Sequence, residues 1–185
     1  MKTNKKILAA LAALLILPAA LSAQGHLTFE RIPMTGNIDS FAHKLAHQGW
    51  RLNSSYTTSG KAVAKLTAKK GNDQLEAVVE TNAERKVNLI TINHPVRSNW
   101  EKLMNDYNET KTDMEKRYGD QRDCADGFSG DPKKPFRALS DGLAQYRTVY
   151  VDDHGIITVT IIPERKGAAR VIETYQDNPW GKPEL

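Results

Sequence analysis

The sequence predicts an α+β fold: antiparallel sheet meanders of about seven strands, packed by one long and two shorter helices. Three observations predict it. Between residues 50 and 94 apolar residues alternate at strand length, and only short polar breaks separate the runs, so sequential strands are antiparallel neighbours. Residues 98–118 carry apolar side chains at helical spacing behind an N-terminal capping signal. A second group of strand-length apolar runs closes the chain. This is not an alternating strand–helix–strand pattern, which argues against a doubly wound nucleotide-binding sheet.

Taken in order, Leu27 to Arg31 reads as a short edge strand ended by Pro33. Asn37 is a good N-cap, Asp39 sits in the first turn near the positive end of the helix dipole, and Gly49 suits the position after the last turn. Ile38, Phe41, Ala42 and Leu45 recur between them at helical spacing, predicting a helix over 38–48. Four strands follow. Trp50 to Thr57 is the weakest, then Ala64-x-Leu66-x-Ala68, Leu75-x-Ala77-x-Val79 and Leu89 to Ile92. Gly71-Asn72-Asp73 and the segment 82–85 are the polar breaks.

Ser98-Asn99-Trp100-Glu101 reads as a capping box, Ser98 capping the backbone and Glu101 reaching back. Trp100, Leu103, Met104, Tyr107, Lys111, Met114 and Tyr118 then mark one helical face, and Gly119 ends the helix. Such a helix is about 30 Å long, close to the span of a strand of eight or nine residues, so it can lie along a sheet. Residues 119–134 have no periodicity and read as a loop. Pro135 opens a short helix to about Leu143, with Phe136, Leu139 and Leu143 on its apolar side. Gln145 to Val151, Ile156 to Ile162 and Ala169 to Tyr175 are the closing strands, with a hairpin turn at Asp152–Gly155. Two similar halves, each a helix followed by a meander, are compatible with this order, without a residue-level repeat between them.

The first 23 residues read as an export signal. Lys2, Lys5 and Lys6 form a positive start, Ile7 to Leu17 is an uncharged apolar run, and Pro18 breaks it. Leu21-Ser22-Ala23 offers small residues to a signal peptidase, predicting cleavage after Ala23. The apolar run is too short for a membrane span, which needs about 20 residues. No cysteine stands at the cleavage site, so no lipid anchor is expected. The expected organisation is a signal peptide over 1–23, one α+β domain over 24–177 and a flexible tail over 178–185, in the periplasm or outside a Gram-negative cell.

Removing the signal leaves 23 basic against 22 acidic residues, so the sequence pI of 9.1 is no argument for nucleic acid. Lys69-Lys70 and Lys133-Lys134 are isolated pairs of the kind found in solvated turns. The only cysteine is Cys124, so no internal disulfide is available and stability rests on the core.

The chemistry-bearing patterns are weak. Asp39, His43 and His47 follow one another at helical spacing, a stripe that can meet a transition metal but lies opposite Phe41 and Leu45, facing solvent. Asp120, Asp123 and Asp126 form an acidic loop with oxygen ligands of the sort calcium takes, though the EF-hand spacing is lacking. No catalytic residue and no cofactor emerges: there is no Gly-x-Ser-x-Gly elbow, His-Glu-x-x-His pair, phosphate loop or dinucleotide fingerprint. Trp50, Tyr56 and Trp180 are aromatic anchors for a partner wherever the fold leaves them exposed.

Several segments carry a resemblance. Leu27-Thr28-Phe29-x-x-Ile32-Pro33-x-x-Gly36, Phe41-x-x-x-Leu45 with Gly49, Trp100-x-x-Leu103-x-x-x-Tyr107, Arg117-Tyr118-Gly119, Ala138-Leu139, Gly155-x-Ile157 and Val171-x-x-x-Tyr175-x-Asp177 together cover most of the chain after the signal. With them the chain resembles a family of exported hypothetical proteins from Bacteroidales, of Bacteroides and Prevotella type, to which no activity is assigned. The resemblance implies export and one domain, and supplies no catalytic residue. The layout also resembles, at fold level, beta-lactamase inhibitor protein and small outer-membrane assembly lipoproteins, which bind other proteins; fold alone does not carry function.

The reading is a non-catalytic exported binding module that recognises a protein or an envelope component. The alternative is a small apolar-ligand carrier with a cavity between sheet and long helix, where Ala62, Ala64, Ala68 and Ala77 are small enough to leave one. A small hydrolase is the third reading.

Overall fold

The computed structural model describes residues 25–165 and 167–177. The expected signal segment, the tail over 178–185 and Trp180 lie outside the described residues.

The chain runs β1 (Thr28–Phe29), β2 (Ile32–Pro33), α1 (Ile38–His47), β3 (Arg51–Thr58), β4 (Lys61–Lys70), β5 (Asp73–Thr81), β6 (Val87–Asn93) and α2 (Trp100–Tyr118). It continues with β7 (Asp123–Cys124), β8 (Gly127–Phe128), α3 (Pro135–Ser140), β9 (Ala144–Gln145), β10 (Arg147–Asp152), β11 (Gly155–Arg165) and β12 (Ala168–Asp177). This is the expected α+β fold, with one correction of count. Eight strands form one antiparallel sheet in the order β3-β4-β5-β6-β12-β11-β10-β7, and two small two-stranded sheets flank it.

The order is symmetric about its centre. Reading outward from the β6–β12 seam gives β5-β4-β3 on one side and β11-β10-β7 on the other. A helix precedes the outermost strand of each side, α1 before β3 and α2 before β7. The two halves therefore meet at their last strands, which pair from Ile172 opposite Asn93 to Gln176 opposite Leu89.

Helix α1 packs on β3, β4 and β5, and α2 on β10, β11 and β12. The α1 stripe Ile38, Phe41, Ala42 and Leu45 is buried as its spacing predicts. The Asn37 side chain accepts from the Ser40 N–H at 2.8 Å, and Gly49 carries a φ of +92° past the end. On α2 the buried residues are Leu103, Tyr107, Thr110 and Met114, and Gly119 ends the helix.

Residues directly opposite in an antiparallel pair point to one face. Ala68 with Leu75, Leu66 with Ala77, Ile92 with Glu173, and Tyr175 with Ile157 therefore belong to the helix-covered face. The core lies there, and Leu66, Ala77, Ile90, Val159 and Val171 are almost wholly shielded.

Local expectations need five further corrections. The first edge strand is a hairpin instead, with Glu30 and Arg31 at its tip and both at positive φ. The α2 cap is Asn99, not Ser98: the Asn99 carboxamide accepts from the Lys102 N–H at 2.8 Å. Arg97 is bridged to Ala169, which keeps the chain extended and delays the helix by one residue, so Glu101 cannot close the box. The loop over 119–134 contributes β7 and β8, two residues each and too short for any periodicity. The short helix ends at Ser140, and the strand expected from Gln145 divides into β9 and β10.

Candidate functional site

A cleft of about 240 Å³ opens on the helix-covered side of the sheet, at one end of the seam. Its floor comes from register: Ala68 and Leu75 face each other across β4 and β5, and Ile92 faces Glu173 across β6 and β12. Its walls are Phe29 and Glu30 of the hairpin, Gln48 and Trp50 past α1, and Thr110, Asp113, Met114 and Arg117 of α2. α1 covers one half of the sheet and α2 the other, and the cleft occupies the space between their packing. The small side chain of Ala68 adds room there.

Glu173 is the chemical centre of the floor. It is 8% exposed, on a face otherwise given to apolar side chains. His94, just past β6, donates from Nε2 to Glu173 Oε1 at 2.7 Å. Tyr175 donates its hydroxyl to the other carboxylate oxygen at 2.7 Å. Burial raises the Glu173 carboxyl, but the hydrogen bond and field of His94, with the Tyr175 hydroxyl, outweigh it and hold the group below the ordinary glutamate value. Burial first, and then the Glu173 charge, push the Tyr175 hydroxyl well above the ordinary tyrosine value. The arrangement is a satisfied polar network under an open cleft.

The mouth carries both signs. Lys70 and Arg117 stand with Glu30 and Asp113, while Lys69, opposite Gln74, takes the other phase of β4 from Ala68. Lys70 reaches Asp113 at 3.8 Å and Lys116 does so at 3.7 Å. Lys69 and Arg117 make no ion pair among the described residues.

The sheet offers two further surfaces. Among the described residues no helix packs on its other face, which carries Val78, Thr91, Thr174 and Thr158 in one row from β5 to β11. The edge strand β3 exposes all eight of its residues and, among the described residues, pairs only with β4. At the start of α2, Trp100 meets Phe128, Phe136 and Tyr146 edge-on at 6.4, 5.4 and 5.8 Å, with Phe128 itself 38% exposed.

The residues singled out from sequence are scattered. Asp39, His43 and His47 are exposed on α1, where the two imidazoles meet edge-on at 4.8 Å. Asp123 pairs with Arg147 at 3.5 Å. Asp126 accepts from Lys111 at 2.8 Å and from the Tyr107 hydroxyl at 2.7 Å, while Asp120 lies exposed without joining them. Among the described residues no group of three acidic, histidine or cysteine side chains is arranged to hold a metal. Trp50 is not left exposed: at 6% exposure it packs on Phe29 and belongs to the core and the cleft wall. Tyr56 is an exposed aromatic, at 46%.

Sequence reasoning missed His94 and Glu173. A signal was present: Val171, Glu173 and Tyr175 share one strand phase, so a carboxylate stands where the alternation demands an inward side chain.

No family model matches the chain, and neither a curated protein nor a solved structure matches it.

Proposed function

We propose that the protein is an exported, non-catalytic binding module that takes up an extended segment of another exported or envelope protein along the free edge of β3. The observation that carries this reading is that edge. It is eight residues long, every residue is exposed, and it holds no proline and one charge, Arg51. Natural sheets blunt such edges with charges, prolines or very short strands. The opposite edge follows that rule, since β7 has two residues. An open edge supplies unpaired N–H and C=O groups for strand addition, and alternate side chains supply selectivity. Leu52 and Tyr56, 47% and 46% exposed, are the side chains a bound segment covers first. The N-terminal sequence pattern and the Bacteroidales resemblance support the exported setting.

The test places a photo-crosslinking amino acid at Tyr56 in the native cell envelope. One partner should cross-link there. The cross-link should be lost when Leu52→Lys and Thr57→Pro are introduced together, and retained in Phe128→Lys, which lies on the Trp100 patch. Absence of a cross-link from folded protein, or capture indifferent to the edge substitutions, removes the reading.

A further inference from the structure

We infer that the segment received at the β3 edge is acidic: an extended peptide of another protein, with carboxylates at alternate positions on the side turned away from α1. The inference rests on strand addition at β3 and names the chemistry of the strand that is added.

The charges of the edge decide this. From Trp50 to Asn72 the chain has no aspartate or glutamate, while Arg51, Lys61, Lys65, Lys69 and Lys70 all lie there. Lys70 is occupied by Asp113 of α2. The other four make no ion pair among the described residues.

Register sets their side. Ala64 and Leu66 face the core, so Lys61, Lys65 and Lys69 take the other phase of β4 and belong to the face away from the helices. Lys61 stands opposite Thr58 and Lys65 opposite Ser54, with Tyr56 opposite Val63 between them. Ser54 and Thr58 are small, so the flexible four-carbon lysine stems have room to extend past them toward the open edge. A strand added there sets alternate side chains beside Ser54, Tyr56 and Thr58. The outer two come within reach of an ammonium group, and the middle one meets a ring. On the α1 side β3 shows Leu52, Ser55 and Thr57, none of them charged, which suits small or apolar side chains at the intervening positions.

The competing charges lie deeper. Glu76, opposite Thr67, and Glu80, opposite Val63, share the lysine face but stand on β5. From an added strand β5 is three strand spacings away, about 14 Å, beyond the screening length of about 8 Å. Glu76 also accepts from the Asn93 carboxamide at 3.5 Å. A second copy of this edge is disfavoured, because pairing β3 with β3 gathers Arg51, Lys61 and Lys65 of both chains without a carboxylate on either hairpin.

The experiment measures the binding of three capped, fluorescently labelled peptides to the purified protein by anisotropy. In each, threonine alternates with an outward series: glutamate, valine, glutamate in the first, with glutamine or lysine replacing glutamate in the others. The glutamate peptide should bind tighter than the glutamine peptide by about fivefold or more, and the lysine peptide weakest, the gap narrowing as salt rises. Lys61→Gln with Lys65→Gln should remove the preference, Lys61→Gln alone, at an exposed position, part of it, and the remote Lys133→Gln none. Full N-methylation of the glutamate peptide keeps its charge, removes its backbone donors and should abolish binding. Equal binding of the glutamate and glutamine peptides, both lost on N-methylation, overturns the acidic assignment and leaves strand addition standing. Binding that survives N-methylation overturns the added strand and the inference with it. Absence of binding by all three peptides overturns the inference, and the Tyr56 cross-link then decides strand addition separately. A concentration-dependent dimer dispersed by Tyr56→Lys overturns it in favour of a second copy.

Discussion

His94 and Glu173 are hydrogen-bonded at 2.7 Å across the seam where the two halves of the sheet meet, and both are buried. The contact joins the end of β6 to the middle of β12, alongside the backbone bond from the His94 N–H to the Val171 carbonyl at 3.0 Å. Folding lowers the Glu173 carboxyl below its ordinary value of 4.5. A depressed carboxyl contributes stability that is full above the ordinary value and is lost as pH falls through the lower folded value. The thermal midpoint should therefore fall on acidification below about pH 4.5. Asp73 and Asp126 are lowered too and act in the same window, so the comparison is with Glu173→Gln. That variant should show a shallower acid loss. Glu173→Ala leaves the His94 and Tyr175 donors unpartnered and should cost about 3 kcal/mol at neutral pH by denaturant unfolding.

Arg97 holds α2 to the sheet. Its guanidinium donates to Asp106 of α2, with Nε at 2.6 Å, and to both carboxylate oxygens of Asp73 at the start of β5. Its backbone bridges Ala169 in both directions. Arg97→Met keeps the aliphatic stem and removes the fork, leaving two carboxylates close together. Both can still reach water, so the cost should be about 2 kcal/mol, less than for a fully buried pair. Denaturant unfolding should show a lower midpoint with an unchanged slope.

The sequence made α1 legible because several independent signals agree there: Asn37 as cap, Gly49 past the end, and Ile38, Phe41, Ala42 and Leu45 at one spacing. The sheet was legible strand by strand, and its order about the seam was not. Strand order depends on which edges meet after collapse, and β6 and β12 are far apart in the chain. The cap of α2 went wrong because a bridge to Ala169, remote in sequence, decides where the helix begins. Tyr56 stands exposed, whereas Trp50 does not, because the β1–β2 hairpin folds Phe29 onto it. The cleft could be expected only as a gap beside small residues. Of the four alanines considered, Ala68 lines it, while Ala64 and Ala77 are buried in the core.

The acidic loop should be indifferent to calcium. Calcium binding needs several carboxylate oxygens turned toward one point. Asp126 is instead held by Lys111 at 2.8 Å and by the Tyr107 hydroxyl at 2.7 Å, and Asp123 is turned to Arg147 at 3.5 Å. Lys111 also lies over the Tyr107 ring, 5.2 Å from its centre, and that side chain would have to leave before a cation could enter. Millimolar calcium should therefore leave the thermal midpoint unchanged, and a clear rise would contradict this geometry. The same contacts make Tyr107 structural. Its hydroxyl joins Asp126 and the fully buried Thr148, 2.8 Å away. Tyr107→Phe leaves the Thr148 hydroxyl only the Cys124 sulfur, 3.7 Å away, and should cost about 1–2 kcal/mol, again without a response to calcium.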